Sequence, residues 1–180
     1  MQVRDATRPD APALAEIYAH YVLHFPYSFE TEPPTIAEFE RRIEETQAFF
    51  PFFVCEEGDE ILGYAYAHFH RVRKAYQWIC ETSVYTKAGS QQKGIGSALY
   101  QRLLPALKRQ GFTKAMAVLG CPNEGSEIFH RRWGFQLLAS FPDLGFKLGS
   151  WHDVKYYSLD LNPVTEAMRD PIPYRDLPSR

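Results

Sequence analysis

The chain has no surplus of positive charge: 20 Lys and Arg stand against 22 Asp and Glu in 180 residues, a formal net charge of -2. That balance lacks the basic footprint of a nucleic-acid binder. No apolar run approaches the ~18 residues of a membrane span, and Met1-Gln2-Val3-Arg4-Asp5 lacks the charged-then-apolar build of a secretion signal. Neither membrane nor export is expected. Cysteine is scarce as well. Cys55, Cys80 and Cys121 are odd in number and show no C-x-x-C spacing, so they read as reduced thiols, not staples or zinc ligands, and point to the cytoplasm. Disorder is excluded by a 45% hydrophobic and 15% aromatic composition. The length suits one domain that buries roughly 70% of its unfolded surface. Residues 1–161 contain no repeat and no linker. The four prolines after Asn162 set off a tail, 162–180, expected to be extended or loosely packed.

Periodicity alternates between strand and helix. A strand is expected over Gln2 to Ala6, followed by a helix from Pro9 to Val22 with Leu14, Ile17, Tyr18 and Tyr21 on one stripe. An aromatic-rich loop then leads to a helix running to Thr46, opened by a capping box of Thr35 and Glu38. Phe50 to Glu56 and Ile61 to His70 are β-rich runs around a hairpin turn at Glu57-Gly58-Asp59-Glu60. Further strands are expected at Trp78 to Thr86, Lys114 to Leu119, Gln136 to Phe141 and Val154 to Asp160. Helices are expected at Gly94 to Gln110, interrupted by Pro105, and at Ser126 to Trp133.

The most informative stretch is Ser83 to Leu99, in which a β-branched strand breaks into a glycine-punctuated turn and becomes an amphipathic helix. Such a junction offers unpaired backbone N–H groups to a phosphate. Two common phosphate loops do not fit: after Gly89 to Gly94, Ile95-Gly96 stands where a Walker loop needs Lys-Ser/Thr, and a dinucleotide fingerprint would need its third glycine at Leu99. What remains, Gln91-x-x-Gly94-x-Gly96, resembles the pyrophosphate loop of the GNAT superfamily of acyl-CoA N-acyltransferases. The resemblance implies that Val84, Tyr85, Thr86, Gln91, Gln92, Lys93, Gly94, Ile95, Gly96 and Ser97 hold acetyl-CoA, with Asn123 either bonding its pantetheine arm or capping a helix. The loop departs from the usual pattern in lacking proline at Lys87 to Ser90 and in having Gln91 where arginine is common.

Alternation along Trp78 to Thr86 puts Ile79, Glu81, Ser83 and Tyr85 on one face, so a carboxylate stands among apolar neighbours. Burial raises a carboxyl pKa toward the range of a general base, while pairing with a nearby arginine is the structural alternative. The segment Asn123 to Phe135 resembles the GNAT pattern in which a tyrosine five residues before the last aromatic protonates the leaving thiolate. His130 occupies that position, as an acid or as an ordinary core histidine.

Four segments together narrow the resemblance. Phe29-Glu30-Thr31-Glu32-Pro33-Pro34, Arg71 to Tyr85, Asn123 to Phe135 and Gly149 to Val154 look like the phosphinothricin N-acetyltransferase group, which also acetylates methionine sulfoximine and methionine sulfone. The likeness implies an acceptor site of Phe29, Arg71, Arg73, Tyr76, Thr82 and Ser83. Guanidinium groups suit a carboxylate or phosphinate, whereas Arg71-x-Arg73-Lys74 read alone is equally a solvated charge run. Trp151-His152-Asp153 has no further ligands at usable spacing, so no metal is expected.

The expected fold is a single α/β domain of GNAT type, with a mixed, mostly antiparallel sheet of six or seven strands and helices on both faces. The expected reaction is direct acetyl transfer to a small primary amine, with Glu81 as base, directly or through one water, and His130 as acid toward the thiolate or sharing the base role. The resemblance implies a homodimer. An inactive CoA-binding sensor and an N-acetyltransferase of a polyamine or protein N-terminus are the rival readings.

Overall fold

A computed structural model describes residues 1–90 and 94–178 of the chain. Seven strands form one sheet: β1 (Gln2–Asp5), β2 (Phe52–Glu57), β3 (Glu60–Phe69), β4 (Ile79–Thr86), β5 (Lys114–Gly120), β6 (Gln136–Lys147) and β7 (Ser150–Asp160). Their spatial order is β1-β2-β3-β4-β5-β7-β6, and every neighbouring pair is antiparallel except β4 with β5. The expected α/β fold is the one observed. Four helices flank the sheet: α1 (Ala11–His24), α2 (Ile36–Gln47), α3 (Ile95–Gln110) and α4 (Glu124–Arg132).

The two faces hold separate cores because strand side chains alternate. On one face Phe53, Cys55, Ala65 and Cys80 meet Leu99, Leu103 and Leu107 of α3. On the other, Phe52, Val54 and Tyr64 meet Leu14, Tyr18, Phe39 and Ile43 of α1 and α2. Local chemistry starts the helices. Thr7 and Asp10 form a reciprocal capping box on the 3-10 turn before α1, and Thr35 Oγ1 accepts the Glu38 N–H at the start of α2. α3 continues through Pro105, whose ring lies on the exposed side where water can satisfy the freed carbonyl.

Two expectations are corrected. β6 and β7 are longer than Gln136 to Phe141 and Val154 to Asp160, forming a hairpin over Gln136–Lys147 and Ser150–Asp160. Pro142-Asp143-Leu144 reads as a break but is absorbed as a bulge: the register shifts between Phe141 and Gly145, and the Asp143 N–H at φ 50° bonds Asp153 Oδ1 at 3.0 Å. The tail is mostly extended, with one 3-10 turn at Tyr174–Asp176, and it is packed, not loose. Ile172 N–H donates to the Gln110 carbonyl (2.9 Å), Tyr174 N–H donates to the Phe49 carbonyl (2.8 Å), and the Tyr174 ring stands edge-on to Phe53.

The loop between α1 and α2 is pinned against the far side of the sheet. Lys147, 4% exposed, donates from Nζ to the Phe25 and Ser28 carbonyls at 3.0 and 2.5 Å. Pro26 crosses the end of β5 at Gly120, where a Cβ would stand 2.0 Å from the Pro26 oxygen. Gly120→Ala is therefore expected to destabilise the fold by about 1–3 kcal/mol through overpacking, read as a lower urea midpoint at unchanged slope.

Candidate active site

β4 and β5 pair through only three residues, Ile79 with Lys114, Cys80 with Ala115 and Glu81 with Met116. Beyond them the strands part. On β4, odd-numbered residues bond toward β3, as Ile79 O with His70 N and the following Lys87 N with Leu62 O show. The backbone groups of even-numbered residues therefore point toward β5. Once β5 has turned away, Val84 and Thr86 present their N–H and C=O to the gap. Tyr21 reaches in from α1 and donates its hydroxyl to the Thr86 carbonyl at 2.7 Å. The expected contribution of Tyr85 is corrected: its N–H is on the β3 side, and its ring packs edge-on against Tyr18 and Tyr21, with centroids 5.0 and 5.2 Å away.

The gap opens at the same end of β4 as the helix it leads into. Gly94 caps α3 at φ 79°, a left-handed conformation suited to glycine, and the place of its absent Cβ is open space. The first intrahelical bond runs from Ala98 N to Gly94 O, which leaves the amides of Ile95, Gly96 and Ser97 without helical partners. A phosphate fits such a cradle. The side chains have other work. Ile95 is buried against Gly63, and a Cβ on Gly96 would lie 3.1 Å from the Phe129 ring, so that glycine lets α3 and α4 approach. Gln91, Gln92 and Lys93 lie outside the described residues. Asn123 caps α4, its Oδ1 accepting from the Ser126 N–H at 3.3 Å.

Glu81 stands where the two strands part. One carboxylate oxygen meets His70 Nδ1 at 3.1 Å and the other lies 4.0 Å from His68 Nε2. His70 is 14% exposed at its side chain, with its ring edge-on to Tyr156 at 6.4 Å. The arginine pairing considered for Glu81 is absent among the described residues. Neither histidine was singled out from the sequence. β3 alternation aligns Tyr64, Tyr66 and His68 on one face, but placing His68 opposite Glu81 requires the strand register.

Ser83 shares that face, opposite Tyr66. Thr82 does not, which corrects its assignment to the acceptor site. It points into the α3 core, where its Oγ1 lies 2.9 Å from the Tyr100 hydroxyl and donates to the Met116 carbonyl at 3.1 Å. His130 belongs to the same buried chain. It is 2% exposed, and because the Ser126 carbonyl can only accept, Nδ1 carries the proton (2.7 Å) and Nε2 accepts from the Tyr100 hydroxyl (3.0 Å). Burial pushes its pKa down to about 4. A neutral imidazole with both nitrogens engaged has no proton to give a leaving thiolate at neutral pH, which corrects its expected role as acid.

The other residues expected at the acceptor site make no hydrogen bond or ion pair with Glu81 among the described residues. Phe29 lays its ring over Gly145 of β6, where a Cβ would lie 2.3 Å away. Arg71, Arg73 and Tyr76 occupy an exposed loop between β3 and β4, and among the described residues neither guanidinium has an ion-pair partner. Behind the Phe29 loop, Arg42 grips Glu30 bidentately at 2.9 and 3.1 Å, and Tyr18 donates to the same carboxylate at 2.9 Å. Tyr18, Arg42, Tyr64 and Tyr66 line a cavity of about 220 Å³ beside it. His152, which invites a metal or triad reading, has its ring nitrogens beside the Cys121 and Lys147 carbonyls. Among the described residues no helix is long and apolar enough to cross a membrane.

A sheet parted over its one parallel pair, beside a glycine-capped helix, is the build expected of an acyl-CoA-dependent transferase. Residues 3–155 match the acetyltransferase (GNAT) domain. The phosphinothricin N-acetyltransferase of Streptomyces viridochromogenes is 36% identical over 160 residues, covering 89% of this chain and 87% of that one. The L-methionine sulfoximine/L-methionine sulfone acetyltransferase of Salmonella typhimurium is 31% identical over 90% of this chain and 95% of its own. A phosphinothricin acetyltransferase from Sinorhizobium meliloti, solved in complex with AcCoA, superposes with a TM-score of 0.87 at 32% identity, covering 97% of this chain and 98% of that one. The chain belongs to the GNAT acetyltransferase family and is an acyltransferase.

The buried state of His130 has a pH signature. The unfolded chain binds a proton there below about 6.5 and the folded chain only below about 4, so stability falls as pH drops through that window. The expected loss is up to roughly 3 kcal/mol, and His130→Gln flattens this part of the urea-stability curve against pH.

Proposed function

We propose that the chain transfers acetyl from acetyl-CoA to the amino group of an amino-acid-like acceptor of the phosphinothricin, methionine sulfoximine or methionine sulfone type. The observation that carries this reading is Glu81 at the parting of β4 and β5, within hydrogen-bond reach of His70. The donor supplies an activated acetyl thioester. Its diphosphate suits the amides of Ile95 to Ser97, and its acyl arm suits the gap lined by Val84 and Thr86. The unpaired guanidinium groups of Arg71 and Arg73 suit the acceptor's carboxylate and its phosphinate, sulfone or sulfoximine oxygen.

In this reading His70 donates Nδ1–H to one Glu81 oxygen and leaves the other to take a proton from the acceptor ammonium, directly or through one water. The freed lone pair attacks the thioester carbonyl, and the Val84 N–H in the gap holds the oxygen as negative charge develops. Collapse breaks the C–S bond, the nitrogen sheds its second proton through water to the departing thiolate, Glu81 returns its proton to solvent, and the products are the N-acetyl amide and free CoA. His130 serves as a neutral support for Tyr100 and Thr82 behind β4. It takes no proton.

Glu81→Gln is expected to lower kcat about 10²- to 10³-fold near neutral pH with the KM for acetyl-CoA within twofold, measured by steady-state CoA release. Full activity in that variant would remove Glu81 from the mechanism. Phosphinothricin, methionine sulfoximine and methionine sulfone are expected to outperform polyamines and N-terminal peptides in the same assay. CoA binding without release on any amine would favour a sensor.

We also propose a cytoplasmic homodimer. The three unpaired, buried cysteines suit a reducing compartment. β6 is an edge strand, and its hairpin exposes Leu138, Phe141, Leu144, Phe146 and Trp151, the last 61% exposed. Such a row on an open edge suits a second copy of the chain. Sedimentation velocity is expected to give twice the chain mass, and Phe146→Asp with Trp151→Asp to give a monomer. A monomeric native protein would sink the assembly.

A further inference from the structure

The loop carrying Arg71 and Arg73 has few attachments. Its ends are closed by the His70 N–H donating to Ile79 O (3.2 Å), and its only internal bonds are those of a 3-10 turn, Tyr76 N to Arg73 O and Gln77 N to Lys74 O. Among the described residues, no hydrogen bond or ion pair ties any of residues 71–76 to another element, and Val72 is fully exposed. Beyond that closure, the ties found among the described residues are at its exit. There the Trp78 carbonyl accepts from Thr113, and two side chains reach the C-terminal tail: Trp78 Nε1 donates to the Arg169 carbonyl and Gln77 Nε2 to Asp170 Oδ1, both at 2.8 Å.

The tail is itself anchored on either side of that contact. Before it, Asn162 Nδ2 donates to the Lys108 and Phe112 carbonyls at 2.8 Å, tying the tail to the C-terminal end of α3. After it, Gln110 donates from Nε2 to the Phe49 and Ile172 carbonyls at 2.8 and 2.9 Å, and Arg109 bonds the Pro178 carbonyl. Gln110 is 1% exposed, which shields its own two bonds from water. The stretch Arg169-Asp170 is thus held over the loop exit by a strap fixed to α3 and to the entry of β2. It lies beyond residues 3–155, which match the GNAT domain.

We propose that the C-terminal strap is a positioning element of the acceptor site: through Gln77 and Trp78 it sets the orientation of the Arg71–Tyr76 loop and thereby the acceptor's affinity. A loop of bare guanidinium groups pays ordering entropy each time it closes on a ligand, and anchoring its exit in advance reduces that cost. Among the described residues no hydrogen bond of the strap reaches the β4–β5 gap or the start of α3, so donor binding is expected to be independent of it. This inference rests on the acceptor role proposed for Arg71 and Arg73.

The test uses the full chain carrying Gln77→Ala with Trp78→Phe, and separately Asp170→Ala, which alters the strap side of the contact. The remaining strap anchors are untouched, and a matching melting temperature checks the fold. Amide hydrogen exchange over residues 71–76 is expected to quicken in the double variant. The acceptor KM is expected to rise about 5- to 10-fold, the yield of two lost hydrogen bonds, with kcat and the KM for acetyl-CoA within twofold. Asp170→Ala moves the same quantities less. Unchanged exchange, or an unchanged acceptor KM alongside a raised one in Arg71→Ala and Arg73→Ala, overturns the strap's role. If those arginine variants keep the native acceptor KM, the acceptor reading fails, and quickened exchange with a native KM in the double variant then overturns the link from strap to affinity.

Discussion

β4 and β5 keep company for three residue pairs and then separate, and the rest of the site depends on where that separation begins. A sheet normally satisfies its backbone groups strand against strand, and leaving a central strand half-paired has a cost. Here the cost produces an internal opening with backbone donors along one wall. Glu81 occupies the last paired position, so its carboxylate stands at the lip of the opening, while Val84 and Thr86 line it further along. α3 begins just past the end of the same strand and presents its unpaired amides there. In the proposed reading, donor anchoring and proton removal are thereby tied to one strand eight residues long.

The two faces of β4 divide the labour. Glu81 and Ser83 face α1, α2 and the Phe25–Glu30 loop. Cys80 and Thr82 face α3; Thr82 meets Tyr100, which leads to His130, while the Cys80 thiol donates to the Lys114 carbonyl. That second set fixes the strand from behind: each group has a partner, and the low exposure of His130 keeps the imidazole neutral. Lys147 holds the Phe25–Glu30 loop through two main-chain oxygens, and burial lowers its pKa without a carboxylate in direct contact.

Much of this was legible from residue order alone. The turn chemistry of Gly94 and Gly96, the helical stripe of α3 and the alternation along β4 are local signals, and they mark the donor cradle and the face of Glu81. Alternation also separates Thr82 from Glu81, and grouping the two by adjacency overlooked it. His70 was not legible, because its approach to Glu81 depends on how β3 registers against β4, a relation between segments 11 residues apart. The full length of the β6–β7 hairpin was hidden by a bulge whose Pro-Asp sequence is also that of a turn. The tail's packing was hidden for a related reason. Proline restricts the local backbone and says nothing of partners 50 to 125 residues away in sequence.

The buried state of the three cysteines has a practical side. Cys55 and Cys80 lie in the α3 core, Cys121 is covered at the end of β5, and burial raises all three thiols above their ordinary pKa. Thiolate is the species that attacks disulfide reagents, and little of it forms at sites closed to solvent. The folded protein is accordingly expected to be silent toward chromogenic thiol probes. In a reaction whose product carries a free sulfhydryl, colour reports turnover with almost no contribution from the catalyst, and a slow rise in the absence of any amine becomes a direct gauge of unfolding.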